Sequence, residues 1–313
     1  MGRRKKGDPI SGWLILDKDI GMTSTQALGK ARRILNAQKA GHAGTLDPLA
    51  TGILPLAFGE ATKTVPYMQD ATKVYTFTIA WGAATNTDDL EGEVIETSDI
   101  RPDKNSILEA LKSYEGVIDQ IPPKFSAIKI DGQRAYALAR KGEDVKIEPR
   151  KVTIYDLSLI EHDTDTATFE CECSKGTYIR SLARDIGQDL GCFGHISMLK
   201  RLSVGVFCEK DAISLDELQK IVHSASPTEA LLPVEASLDD IPALFLNDDE
   251  ASRLRNGQSV VLFSKDGQNR MHAAGLDSKV EKNTVILTRN DDKPIALAEV
   301  TGAEVKPIRV LNV

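Results

Sequence analysis

Gly41-His-Ala-Gly-Thr-Leu-Asp47-Pro-Leu-Ala-Thr-Gly52 is the densest unusual stretch of this 313-residue chain. Three glycines, a proline and almost no apolar periodicity mark it as a loop. Upstream, Trp13-Leu-Ile-Leu-Asp17 reads as a short buried strand, and Gly21 turns the chain toward a helix that Thr23 or Ser24 can cap. Ala27, Leu28, Ala31, Ile34 and Leu35 recur at helical spacing, and Asn36 is a natural stop. Downstream, the apolar Ile53-Leu-Pro-Leu-Ala-Phe58 reads as a second strand. A carboxylate followed by proline between glycines is held stiffly where a ligand can approach the backbone. On its own, however, Asp-Pro commonly opens a turn, so a chemical role for Asp47 needs partners elsewhere.

The rest of the chain mixes strand and helix signals. Tyr75, Phe77 and Ile79 alternate along Lys73 to Trp81 as one face of a strand, and residues 86–92 form a polar turn. Residues 104–114 fit an amphipathic helix. Ser126-Ala-Ile-Lys-Ile130 before Asp131-Gly132 signals a hairpin, followed by a short helix from Arg134 to Lys141 that Gly142 stops. Strands are expected at 150–161 and 166–173, then a helix from Tyr178 to Leu190 with Gly191 past its end. The expected class is α+β, around a mixed and largely antiparallel sheet. Beyond Ile241-Pro242 the texture changes, with Asn247-Asp-Asp-Glu250 as a seam. Short strands are expected at 259–263, 270–276, 284–288, 294–300 and 305–311, a small separate β-barrel. The expected domains are therefore 1–241 and 242–313.

Composition sets limits. Apolar residues are 41% and charged residues 27% of the chain, enough for a packed core and too balanced for overall disorder. No apolar run approaches the ~20 residues that span a bilayer, and the basic start lacks the apolar stretch of a signal peptide. A soluble, cytoplasmic protein is expected, without membrane association. Four cysteines are too few for a disulfide framework. Cys171 and Cys173 are read as facing opposite sides of their strand, Cys192 and Cys208 stand alone, and no CxxC or HxxxH spacing suggests zinc. Buried thiols and no metal are expected.

The net charge of −7 argues against a nucleic-acid partner until it is divided along the chain. Residues 1–70 carry 10 basic and 6 acidic side chains, whereas residues 71–120 carry 4 and 10. Arg3, Arg4, Lys5, Lys6, Lys30, Arg32, Arg33, Lys39 and Lys63 enrich the first segment; Lys175, Arg180, Arg184, Lys200 and Arg201 cluster later. Gathered on one face, they would bind phosphates in a salt-dependent way. Scattered, they would be solvated lysines and arginines.

Lys175-Gly-Thr-Tyr-Ile-Arg-Ser181 opens a helix with Tyr178 and Arg180 at its start. An arginine facing Asp47 would keep it ionised and fix its direction. Tyr75 is a stacking platform for a base, or a residue of the core. Nothing marks His42 as a general base. Ser-His-Asp, GxSxG, GxxxxGKS/T and dinucleotide signatures are missing from the sequence. The residues alone reach cofactor-free carboxylate chemistry on an anionic substrate.

A family resemblance carries the reading further. Asp17-Lys18, Gly21-Met-Thr-Ser24, the Gly41–Gly52 stretch, Gly59-Glu-Ala-Thr-Lys63 and Ser174-Lys-Gly-Thr-Tyr-Ile-Arg180 follow in order. Over roughly residues 11–240 the chain resembles the bacterial tRNA pseudouridine-55 synthases, which isomerise a uridine of the tRNA T-loop. The resemblance implies the pseudouridine-synthase fold followed by a PUA-like domain, no cofactor, and the T-arm of tRNA as partner. It implies Asp47 as the essential carboxylate, Arg180 as its ion-pair partner and Tyr75 stacked on the target base. His42 would wedge into the T-loop, Tyr178 and Leu199 would line the pocket, and Lys63 and Lys18 would support it or contact RNA. One departure is visible: Asp19 follows Lys18 where the family often has proline, which loosens that loop and sets an acid near the RNA face.

Pseudouridine formation breaks the C1′–N1 bond, turns the uracil and joins C5 to C1′, with no net redox change. A carboxylate suits attack on an electron-poor sugar carbon or on uracil itself, and the sequence leaves both routes open. The uridine must also leave its stack, at a cost of a few kcal/mol. Two other readings stand beside this one: an RNA-binding or tRNA-folding module, from the basic clusters and terminal β-domain, and a nucleoside hydrolase. A monomer without protein partners is expected.

Overall fold

Among the described residues, nine strands form the principal sheet, whose main path runs Gly12–Lys18, Thr51–Phe58, Gly194–Val204, Lys73–Trp81, Thr166–Cys173, Arg150–His162 and Gly116–Gln120. The computed structural model describes residues 7–126, 128–130, 132–139, 147–276 and 283–313. Thr51–Phe58 and Gly194–Val204 pair in parallel, with Lys200 opposite Thr51 and Arg201 opposite Gly52; the other pairs of this path are antiparallel. The expected α+β class and mixed, largely antiparallel sheet are both found.

Burial on both faces explains the unbroken apolar runs of the first two strands. Leu14, Leu16, Leu54 and Leu56 pack with Ala27 and Ala31 of the Ser24–Ile34 helix and with Leu35 at its C-cap, in a core that continues through Phe77, Phe169, Leu182 and Ile186. Trp13, Ile15, Ile53 and Ala57, also buried, pack instead with Phe207 and Val234. Thr23 caps the helix in a reciprocal capping box with Gln26, and Asn36 takes a left-handed conformation (φ 49°) just beyond its end.

Several expectations need correction. Ala40–His42 is a short strand on Thr51–Phe58, with Ala40 opposite Phe58 and His42 opposite Leu56. The loop proper is thus residues 43–50, which join the antiparallel neighbours Ala40–His42 and Thr51–Phe58. Cys171 and Cys173 share a buried face, because side chains alternate with a period of two and residues i and i+2 point the same way. Cys208 is only partly buried. The 104–114 helix is Lys104–Leu111. The hairpin is present as Lys129–Ile130 paired with Gln133–Arg134, and the helix after it as Ala135–Ala139; Gly142 lies outside the described residues.

In the terminal region, Ala243–Phe245, Thr284–Asn290, Lys293–Thr301, Glu304–Val310 and Val260–Val261 form a five-stranded sheet in that order. The strand expected at 270–276 is instead largely the Lys265–Ala273 helix. Ser264 caps it on Gly267 N–H, and Arg270 pairs with Asp266 one turn earlier and with Glu250. The Asn247–Glu250 seam is a capping box: Asn247 and Glu250 accept each other's backbone N–H at the start of the Asp248–Arg255 helix. Leu287 and Leu297 of this sheet, and Leu311 just past its last strand in sequence, pack in one apolar cluster with Trp13, Ile15 and Phe207.

Candidate active site

Residues 43–50 are pinned on both sides of Asp47. Ser24, buried at the start of its helix, donates its hydroxyl to Leu46 C=O at 3.0 Å and accepts from Leu46 N–H at 2.8 Å. Gly21 N–H donates to Pro48 C=O at 2.8 Å. The Lys18 ammonium donates to the carbonyls of Met22 at 2.8 Å, Asp19 at 2.9 Å and Pro48 at 3.4 Å. Lys18 is 1% exposed, and burial lowers its pKa against the opposing pull of Asp19 and Asp47. The structure therefore places Lys18 beneath the loop as a brace.

Arg180 occupies the first turn of the Ile179–Asp189 helix and is buried. Its Nε donates to Asp47 Oδ2 at 2.9 Å, Nη1 to Thr87 C=O at 2.7 Å and Nη2 to Phe125 C=O at 3.0 Å. Nη1 also lies 3.6 Å from Oδ2 of the buried Asp89. Asp89 Oδ1 in turn accepts from Thr87 Oγ1 at 2.5 Å and Glu91 N–H at 3.0 Å. The guanidinium is held by four oxygens from three segments, which leaves it one orientation. The Asp47 side chain remains 37% exposed, so one side of the carboxylate is open.

Two phenols flank this pair. Tyr75 lies opposite Arg201 across the Lys73–Trp81 and Gly194–Val204 strands, and burial raises its pKa despite the nearby guanidinium of Arg201. The resting phenol is protonated at neutral pH. Tyr178 caps the helix of Arg180; Gln120, buried, accepts Tyr178 N–H at 2.8 Å and donates to its C=O at 3.1 Å. Burial raises the Tyr178 phenol as well. Arg201, opposite Tyr75, bonds Gly44 of the Asp47 loop, and Tyr178 stands two residues before the Arg180 that bonds Asp47. Leu199, two residues before Arg201 and opposite Phe77, is buried on the same face of its strand.

Arg201 is the largest contribution that sequence reading left outside the site. Only 1% exposed, it donates Nε to Ile53 C=O at 2.7 Å and Nη2 to Gly44 C=O at 3.3 Å, tying the Asp47 loop to the Tyr75 strands. Asp89, Ser24 and Gln120 were also missed. The polar turn at 86–92 and the basic cluster had marked the neighbourhoods of Asp89 and Arg201, but not their inward orientation. Gly52 is required where the loop rejoins the sheet: it has φ +91°, and a Cβ there would meet the Arg201 carbonyl oxygen at 2.2 Å. Gly52→Ala is expected to lower the urea unfolding free energy by about 2–3 kcal/mol. An unchanged midpoint would mean that the loop closes without this contact.

His42 lies at the edge of the loop. Burial, then the Arg201 charge, holds its pKa below the ordinary 6.5. The folded protein therefore binds fewer protons than the unfolded chain just below pH 6.5. The stability from this neutral ring is complete above that pH and is lost as pH falls through the folded-state value. His42→Gln should shrink the stability drop between about pH 7.5 and 5.5, measured by urea denaturation. An equal drop in both proteins would contradict this coupling. Lys63 is placed apart from Asp47, Arg180 and Tyr75: its ammonium bonds Glu60 and the Val310 carbonyl, each at 2.6 Å. Among the described residues, no three or more His, Cys, Asp or Glu side chains converge as metal ligands.

A half-open carboxylate, fixed by a buried guanidinium and flanked by protonated phenols, can attack an electron-poor carbon or stabilise positive charge there. The fold thus sets a partly open carboxylate against a fixed guanidinium. A family model described as TruB family pseudouridylate synthase, N-terminal domain, matches residues 32–179, and one for the tRNA pseudouridylate synthase B C-terminal domain matches 180–239. The tRNA pseudouridine synthase B of Caulobacter vibrioides is 49% identical, covering 100% of this chain and 99% of that protein. That of Bradyrhizobium diazoefficiens is 51% identical over 99% of this chain and 88% of its own. Among solved structures, a chain of a Cbf5–Nop10–Gar1 complex superposes with a TM-score of 0.73 at 25% identity, covering 96% of this chain and 85% of that one. A chain of an H/ACA RNP bound to a substrate RNA containing 2′-deoxyuridine shares the fold, with a TM-score of 0.73 at 21% identity over 100% of this chain and 92% of its own. The chain belongs to the TruB family of pseudouridylate synthases, which are isomerases, and its terminal sheet corresponds to the PUA-like part of that fold.

Proposed function

We propose that this protein converts uridine 55 in the T-loop of tRNA to pseudouridine, with Asp47 as the reacting carboxylate. The names of its relatives support the tRNA uridine, and the Arg180–Asp47 geometry supports the residue. The C1′–N1 bond breaks, the freed uracil turns within the pocket, C5 bonds to C1′, and the proton on C5 leaves while N1 gains one. No electrons are gained or lost. Asp47 stabilises the ribosyl cation or bonds to sugar or base, and Arg180 holds it ionised and aimed. Tyr75 stacks on the everted base; Tyr178 and Leu199 line the pocket. His42, neutral near pH 7, fills the stack that the uridine leaves.

Lys18 acts through the loop it braces, and Lys63 through its link to the terminal sheet. Residues 1–241 would carry catalysis and 242–313 would add tRNA affinity, in a monomer working in the cytoplasm without a protein partner. Opening the tRNA elbow would also assist tRNA folding, since a loop that must be unstacked for chemistry is given a second chance to pair correctly.

The decisive experiment is tritium release from C5-labelled uridine in a T-arm stem-loop. Stoichiometric release with pseudouridine in the product is expected. No release overturns the reading, and free uracil in the product would make the protein a hydrolase.

A further inference from the structure

A groove of about 430 Å³ runs along the Ser24–Ile34 helix, lined among others by Ile20, Gly21, Met22, Gln26, Lys30 and Arg33. Gln26, Lys30 and Arg33 stand at positions i, i+4 and i+7, one stripe of the helix. The helix itself contains no Asp or Glu, and no carboxylate lines the groove among the described residues. Lys30 and Arg33 are exposed, and Ile20 is 65% exposed beside them. Arg33 Nε turns back onto Gly29 C=O at 3.2 Å, which settles the guanidinium along the helix.

This groove is continuous with the catalytic loop. Gly21 N–H binds Pro48 C=O, and the Lys18 ammonium bridges Met22 C=O and Pro48 C=O. The groove floor and the residue after Asp47 are therefore fastened together. An RNA strand that delivers a base to Asp47 carries its neighbouring phosphates past this point. Two uncompensated cations, an amide and an apolar side chain match a phosphodiester backbone and the flat side of its ribose.

We propose that this groove binds the backbone of the RNA whose uridine reacts at Asp47, with Lys30 and Arg33 each contacting a phosphate, Gln26 as a neutral donor and Ile20 against the sugar. The RNA identity rests on the function proposed above; the site itself rests on the groove. Asp19, on the adjoining turn, is the nearby carboxylate in sequence that works against it.

The test measures binding alone. Full-length protein carrying Asp47→Asn is titrated with unmodified tRNA transcript and with a T-arm stem-loop across a salt series, with and without Lys30→Gln/Arg33→Gln. Two lost phosphate contacts should reduce the slope of log K against log salt by about 1.4–1.8 and weaken binding roughly tenfold near 0.1 M salt. Lys30→Glu/Arg33→Glu should weaken it further. A loss confined to full tRNA assigns the groove to RNA outside the T-arm, and a loss with both assigns it to the T-arm; either supports the proposal. Unchanged slopes overturn it. So does an equal loss in Lys104→Gln/Lys112→Gln, which removes two charges elsewhere. Tritium release by the unaltered protein is scored separately, so failure of the isomerase reading is distinguishable from failure of the groove.

Discussion

Replacing Asp47 with Asn should reduce pseudouridine formation by ~10⁴-fold or more while leaving tRNA affinity nearly intact. The amide is nearly isosteric, and the loop is held by Ser24, Gly21 and Lys18 through backbone groups rather than through this side chain. What is lost is the negative oxygen pair that bonds to or stabilises an electron-poor carbon. Single-turnover tritium release and filter binding, run side by side, separate the two effects. Turnover within tenfold of normal would remove Asp47 from the chemistry. If the same variant fully restored tRNA folding, binding rather than isomerisation would be the central activity.

Arg180→Met should impair both folding and chemistry. Removing the guanidinium leaves the buried Asp89 carboxylate without its cation and the Thr87 and Phe125 carbonyls without their donors. Stripping one partner from such a buried network costs about 3–5 kcal/mol. The catalytic rate should fall by roughly 10³-fold even in the folded fraction, because Asp47 loses the donor that aims it. Arg180→Lys keeps the charge but cannot reach four oxygens with one nitrogen, so it should restore little of either loss. Urea denaturation reads the stability, and single-turnover rates of the folded variant read the aim. A variant with normal stability and rate would show that the network is incidental.

Much of this arrangement was legible before folding. Trp13–Asp17 and Ile53–Phe58 announce their strands as short apolar runs and Lys73–Trp81 by its alternation, while glycine, proline and helix-start chemistry mark the Asp47 and Arg180 segments and the family resemblance alone gives them roles. The site residues that escaped did so because their partners are remote. Arg201 meets Gly44 from 157 positions away, and Asp89 meets Arg180 of a helix far along the chain, so no local window contains either pair. The terminal region is less legible for a different reason: Asn247-x-x-Glu250 has the polarity of a seam but starts a helix, and Lys265–Ala273 has too few apolar residues to reveal a helix by periodicity.

The order of strands across the principal sheet bears on how the enzyme is made. Thr51–Phe58 and Lys73–Trp81 are consecutive strands of this sheet path in the chain but flank Gly194–Val204, which is synthesised far later. A nascent polypeptide leaving the ribosome therefore holds both early strands with facing edges unpaired, and neither Arg180 nor Arg201 has yet arrived. Such non-local closure is slow, and open edges invite misassociation in the interval. The same delay keeps a half-built enzyme from acting on RNA, because competence arrives only with the insertion that completes the sheet.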